Sequence, residues 1–131
     1  MSETEHEKSL REWAKGNYAT EAATELLIRA FDGRFAAPDN PWVEPVLNNE
    51  GMAWIDFEAI PNHIGPLSSG QRGVLQIAAS IGSLRAKVSI KDAVWSLDDT
   101  NARLVVTAIA RSVGPVAQGH LHRGPLMEWP A

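Results

Sequence analysis

Apolar residues recur at helical spacing through most of the chain, and the clearest run occupies residues 67–81. Its apolar side chains lie three or four positions apart, which places them along one helix face. Ser68 and Gln71 have the spacing of a capping box, in which each side chain binds the other residue's backbone amide. Gly82 predicts the end of the helix, because glycine readily adopts the left-handed conformation. The apolar face comprises Val74, Leu75, Ile77, Ala78 and Ile81.

Four further helices are predicted from the same periodicity and from polar residues that can accept a hydrogen bond at each helix start. The helix at residues 18–31 has a broad apolar face, which we expect to be well buried. The helices are residues 5–15 after Thr4, 18–31 after Asn17, 90–95 after Ser89 and 100–113 after Asp98. The apolar face of the last helix comprises Ala102, Val105, Val106, Ile109 and Val113, broadened by Leu104 and Ala108.

Residues 35–66 have a different character, because five prolines prevent a long helix there. Two extended runs, 42–47 and 52–57, flank turn-forming residues and predict a β-hairpin. Residues 114–131 contain further glycine and proline interruptions and predict an irregular C-terminal tail. The sequence therefore predicts one mainly α (α+β) domain over residues 1–131, with four or five packed helices and one small hairpin.

Two groups of side chains could bind a metal ion. His120 and His122 are two positions apart and would share one face of a strand. Asp56 and Glu58 would likewise share a strand face, and His63 follows them, so they could bind a metal or transfer protons. Neither group has enough ligands to define a metal site. The alternative interpretation is that these side chains simply face solvent.

The stretch 67–81 resembles the signature segment of ABC-type ATPases, through Leu67, Ser68, Gly70, Gln71 and the Ile77-Ala78 pair, with Ser69 in place of a glycine. Ser96-Leu97-Asp98 is similar to the D-loop turn of that family. The resemblance implies that the start of this helix contacts a nucleotide phosphate. The chain departs from the family in having no phosphate-binding Gly-x-x-x-x-Gly-Lys loop, and Lys91-Asp92 stands where an Asp-Glu pair is expected. The run 10–14 is similar to a group of small uncharacterised bacterial proteins, which implies no activity.

Composition narrows the classes of function. The chain has no cysteine, which excludes disulfides and thiolate chemistry and fits a reducing compartment. Its net charge of −4 argues against a broad nucleic-acid surface, so we do not expect a nucleic-acid partner. The acidic first residues do not look like a signal peptide, and no run approaches the roughly 20 apolar residues that span a bilayer. We expect a soluble, cytoplasmic protein without a membrane partner.

The leading hypothesis is a non-catalytic protein-interaction module that binds a protein partner or itself, as a homo-oligomer. We expect no cofactor and no catalytic residue, since no nucleophile–base pair, phosphate loop or complete metal set is visible. Leu126, Met127 and Trp129 near the end could dock on the same subunit or form an interface. The second hypothesis is phosphate-compound binding by Ser68, Ser69, Gly70, Gln71 and Arg72, and the third is a metal-dependent enzyme.

Overall fold

The protein has the predicted mainly helical α+β architecture. The computed structural model describes residues 3–114, 117–118, 122–123 and 126–131, with the backbone alone at 117–118 and 122–123. A single buried core joins the helices to the hairpin. The α-helices are α1 (Glu5–Ala14), α2 (Tyr18–Arg29), α3 (Ser69–Gly82), α4 (Ile90–Val94) and α5 (Asp99–Ser112).

The helices begin where their polar caps predict. At α3, Ser68 Oγ accepts the Gln71 amide and Gln71 Oε1 accepts the Ser68 amide, each at 3.2 Å. The same reciprocal pair forms at α1 between Thr4 and Glu7. Each bond joins residues three positions apart, so the cap depends on local sequence alone. Single caps are provided at α2, α4 and α5 by Asn17, Ser89 and Asp98.

The core is built around α2 and α3, which pack on each other. Helix α5 packs on α2, α1 packs on α2 and the hairpin, and α4 packs on α3. The predicted apolar face of α3 is buried, with Val74 and Leu75 both 0% exposed. Helices α2 and α5 run antiparallel, because Tyr18 at the start of α2 lies against Gly114 just after α5.

The predicted hairpin forms, with strands shorter than the sequence pattern predicts. Strands β1 (Val43–Pro45) and β2 (Ala53–Ile55) are antiparallel. A 3-10 segment, Phe57–Asn62, replaces the end of the predicted second strand. Asp56 and Glu58 therefore do not share a strand face, and that prediction is wrong. A second antiparallel pair joins β3 (Ala117–Gln118) to β4 (His122–Arg123).

Helix α2 ends at Arg29, two residues before the predicted end. Phe31, Asp32 and Gly33 have φ angles of 52°, 55° and 78°, three consecutive left-handed residues within the segment Ala30–Ala36. This left-handed turn reverses the chain and sets the Phe31 ring edge-on against Phe35, with ring centroids 5.5 Å apart. The aromatic contact and a glycine at the third position offset the cost of the turn.

Two glycines of α3 allow close packing. A Cβ on Gly73 would lie 2.1 Å from the Ala93 carbonyl oxygen, so α4 sits directly on the α3 backbone. The prediction that Gly82 ends α3 in a left-handed conformation is wrong. Gly82 is the last helical residue, and Ser83 caps the helix with φ −140°. A Cβ on Gly82 would lie 2.4 Å from the Phe57 ring, which explains why a small residue is needed there.

Helix α5 buries only part of its predicted apolar face. Leu104, Val105 and Ala108 of this face enter the core. Val106, Ile109 and Val113 are instead exposed to 57%, 41% and 66%. The apolar arc of α5 is wider than the surface that α2 and α3 cover, so one side of it faces outward.

Candidate functional site

The predicted ligand site at the start of α3 is a well-capped helix end. The Ser68 and Gln71 side chains both bind backbone amides of the first turn. Arg72 donates to the carbonyl oxygens of Leu67 and Gly65. These three side chains therefore stabilise the helix start in the structure, and an anion would need to displace their contacts.

The two segments that resemble the ABC-type ATPases lie against each other. A Cβ on Gly70 would be 3.5 Å from the Ser96 carbonyl oxygen, and a Cβ on Gly73 would be 3.3 Å from Leu97. The turn 96–98 therefore lies against the first turns of α3. A carbonyl oxygen beside the helix start is an acceptor, which repels rather than attracts a phosphate oxygen.

The predicted metal ligands do not form a described site. His120 lies outside the described residues, and of His122 only the backbone is described, opposite Gln118 in β4. Glu58 is exposed and lies 3.5 Å from Arg85 Nη1. Within the part of the chain that the structure describes, no three His, Asp or Glu side chains come together as metal ligands.

The C-terminal segment 126–131 docks on its own chain. Arg111 Nη1 donates to the Met127 carbonyl oxygen at 2.7 Å. The Trp129 ring contacts two cations, with the Arg29 and Arg111 guanidinium carbons 5.2 Å and 5.5 Å from its centroid. Trp129 therefore anchors the segment through cation–π contacts and packing on the core, while Met127 stays 46% exposed.

One side of α5 carries an apolar stripe, the α5 stripe, that consists of the half-buried Ala102 and the exposed Val106, Ile109 and Val113. Pro130 and Glu128 of the docked segment line a shallow groove of about 390 Å³ beside it, together with Ala102 and Val106. The C-terminal segment thus runs along α5 and extends the stripe. Sequence periodicity places these residues on the apolar face of the last helix, but it does not show that this side of the face is exposed.

A second exposed surface surrounds α4. We call residues 84–95 the α4 surface. Leu84 and Trp95 are 97% and 75% exposed, and Ile90 and Val94 are 55% and 36% exposed. Ala86 and Ala93 face inward and anchor the segment. Trp95 thus differs from Trp42, which is buried and donates to the Phe35 carbonyl oxygen at 2.8 Å.

The main electrostatic contact joins α1 to α2. Arg11 forms a two-pronged pair with Glu25, with both N–O distances 2.8 Å, and also contacts Glu3. Burial acts to raise the pKa of Glu25, but hydrogen bonds from Arg11 and Arg29 outweigh it and lower that pKa. The hydrogen bond to Glu25 raises the pKa of Arg11. Arg11 and Glu25 are 14 positions apart and lie in different helices, so the sequence pattern does not predict this contact. Helical spacing predicts only the neighbouring pair of Glu25 and Arg29, four positions apart.

Similarity to known proteins does not identify the chain, because no family model, curated protein or solved structure matches it. Of the helices that the structure describes, none combines the length and apolar character needed to cross a membrane. The α5 stripe and the α4 surface are therefore the candidate binding sites of the described chain. Most of the side chains in both surfaces are not covered by packing within the described chain.

Proposed function

We propose that the protein is a non-catalytic interaction module that self-associates through the α5 stripe. The supporting observation is that Val106, Ile109 and Val113 are exposed along one side of a well-packed helix. With Ala102 they follow spacings of four, three and four residues. This is the spacing of apolar positions that pair two helices in a coiled coil.

The stripe can pair with itself. A two-fold axis between Val106 and Ile109 sets each of these residues opposite the other in the second copy. It also sets the small Ala102 opposite the larger Val113. An isologous interface requires this kind of self-complementary surface, since each patch must fit its own copy.

The expected association is weak. The four stripe positions span about three helical turns, roughly 17 Å at 1.5 Å per residue. A standard stable interface buries about 800 Å² on each partner, and a stripe of this length is smaller. We therefore expect a dimer with a Kd on the order of 10–100 µM.

Sedimentation velocity over a concentration series tests this proposal. The wild-type chain should shift from monomer to dimer, and Val106→Glu with Ile109→Glu should remain monomeric, because charges would be buried without partners. Leu47→Glu is the matched control, since Leu47 is 86% exposed and lies in the turn after β1, outside the α5 stripe. A monomer at every concentration, or a dimer that the double variant leaves unchanged, would refute the proposal.

Two expectations from the sequence remain proposals. Binding of a phosphate compound at Ser69 and Gly70 would raise the melting temperature and be abolished by Gly70→Asp; no shift at millimolar ligand would exclude it. A cytoplasmic location is supported by the absence of cysteine. Fractionation of cells that express the tagged chain would check it.

A further inference from the structure

The α4 surface combines exposed apolar side chains with a local excess of positive charge. Its inward-facing residues are few, so most of the segment faces solvent. Leu84, at 97% exposure, projects almost completely from the molecule, and Trp95 is 75% exposed. Burial of these side chains in a suitable partner would remove apolar area from water.

The charge of this surface is opposite to that of the chain. Arg85, Lys87 and Lys91 are all exposed, against the single carboxylate of Asp92. The chain as a whole has 12 cationic and 16 acidic residues and a net charge of −4. Arg85 contacts Glu58 only at 3.5 Å, and both side chains are largely exposed, so this ion pair is weak. The α4 surface is therefore complementary to an anionic partner.

We infer that the α4 surface binds the face of an anionic lipid bilayer. Its cations would contact lipid headgroups while Leu84, Ile90 and Trp95 enter the boundary with the acyl chains. A bilayer accommodates projecting side chains of any shape, whereas a protein must offer a matching pocket to each. Surface binding needs no spanning segment, so this inference revises the expectation that the chain has no membrane partner.

The orientation and strength of binding follow from the same residues. The rest of the acidic chain would be repelled by an anionic surface, which leaves the α4 surface as the side that approaches it. Each cation near such a surface strengthens binding about five-fold, and the effect is screened by salt. We expect reversible binding that requires both the charges and the apolar side chains.

Co-sedimentation of the full chain with lipid vesicles tests this inference, which is independent of dimerisation through α5. The chain should sediment with vesicles of phosphatidylcholine that contain about 30 mol% phosphatidylserine, and not with phosphatidylcholine alone. Binding should fall at least ten-fold in about 0.5 M salt, and likewise for Lys87→Glu with Lys91→Glu. Leu84→Ser with Trp95→Ser should also weaken it.

Leu47→Ser is the control, because it removes an exposed apolar side chain elsewhere. Equal loss of binding in this control would overturn the inference. So would the absence of binding to anionic vesicles, or equal binding to neutral ones. If Leu84→Ser with Trp95→Ser changes the sedimentation coefficient of a chain that does not bind vesicles, the surface contacts another protein copy and the inference is wrong. Circular dichroism should show every variant folded, since the substituted side chains are exposed.

Discussion

Replacement of Gly73 by alanine tests the close packing of α4 on α3. The added Cβ would lie 2.1 Å from the Ala93 carbonyl oxygen and 3.3 Å from Leu97 Cδ2. An ordinary carbon–oxygen contact is about 3.3–3.6 Å, so α4 would have to move by more than about 1 Å. The atom that must move belongs to the backbone of a buried residue, and a side-chain rotation cannot relieve the contact.

The expected loss of stability combines two opposing effects. Overpacking of this kind costs about 1–3 kcal/mol, and a rigid backbone neighbour favours the upper end. Alanine in place of glycine returns about 1 kcal/mol through helix propensity. We therefore expect Gly73→Ala to lower the free energy of unfolding by about 2 kcal/mol.

Urea denaturation provides the assay, with the midpoint lowered and the slope of the transition unchanged. Gly70→Ala is the matched control, since its Cβ would meet Ser96 at an ordinary 3.5 Å. It should be neutral or stabilise the protein by up to about 1 kcal/mol. A Gly73→Ala protein as stable as the wild type would refute the reasoning, because it would mean that α4 does not rest on Gly73.

Three further substitutions test other contacts. Glu25→Gln should be less stable than the wild type near pH 7. Because folding lowers the pKa of Glu25, the charged carboxylate stabilises the fold fully above the ordinary carboxyl pKa, and this stabilisation is lost on acidification. The urea midpoints of the two proteins should therefore converge at low pH. Trp42→Phe should cost about 1–3 kcal/mol in urea unfolding, since the buried Phe35 carbonyl oxygen loses its donor; an unchanged midpoint would contradict this. Gly33→Ala should cost about 1–2 kcal/mol, because φ is +78° and the Cβ would meet the Ile28 carbonyl oxygen at 3.2 Å; a rise in melting temperature would contradict it.

Local sequence predicts the helices because their start signals act over three residues. The Ser68–Gln71 and Thr4–Glu7 pairs form as predicted, and so does the Asp98 cap of α5. The hairpin is also local, with a short turn between its strands. The candidate sites depend on contacts between residues that are far apart in the sequence, and the sequence pattern does not predict those contacts. The predicted metal group of Asp56, Glu58 and His63 does not form on one strand face, because β2 ends at Ile55 and a 3-10 segment follows. Hydrophobic periodicity does not indicate this strand end.

The sequence by itself determined the helical elements, their caps and the hairpin. The tertiary structure decided which apolar residues of α5 face the core, because burial depends on how much of its arc α2 and α3 cover. It also decided that Glu25 pairs with Arg11, that Trp129 docks on its own chain and that Trp95 remains exposed. Local sequence determines hydrogen bonds between near neighbours, whereas the burial of a side chain depends on which surfaces pack together in the folded chain.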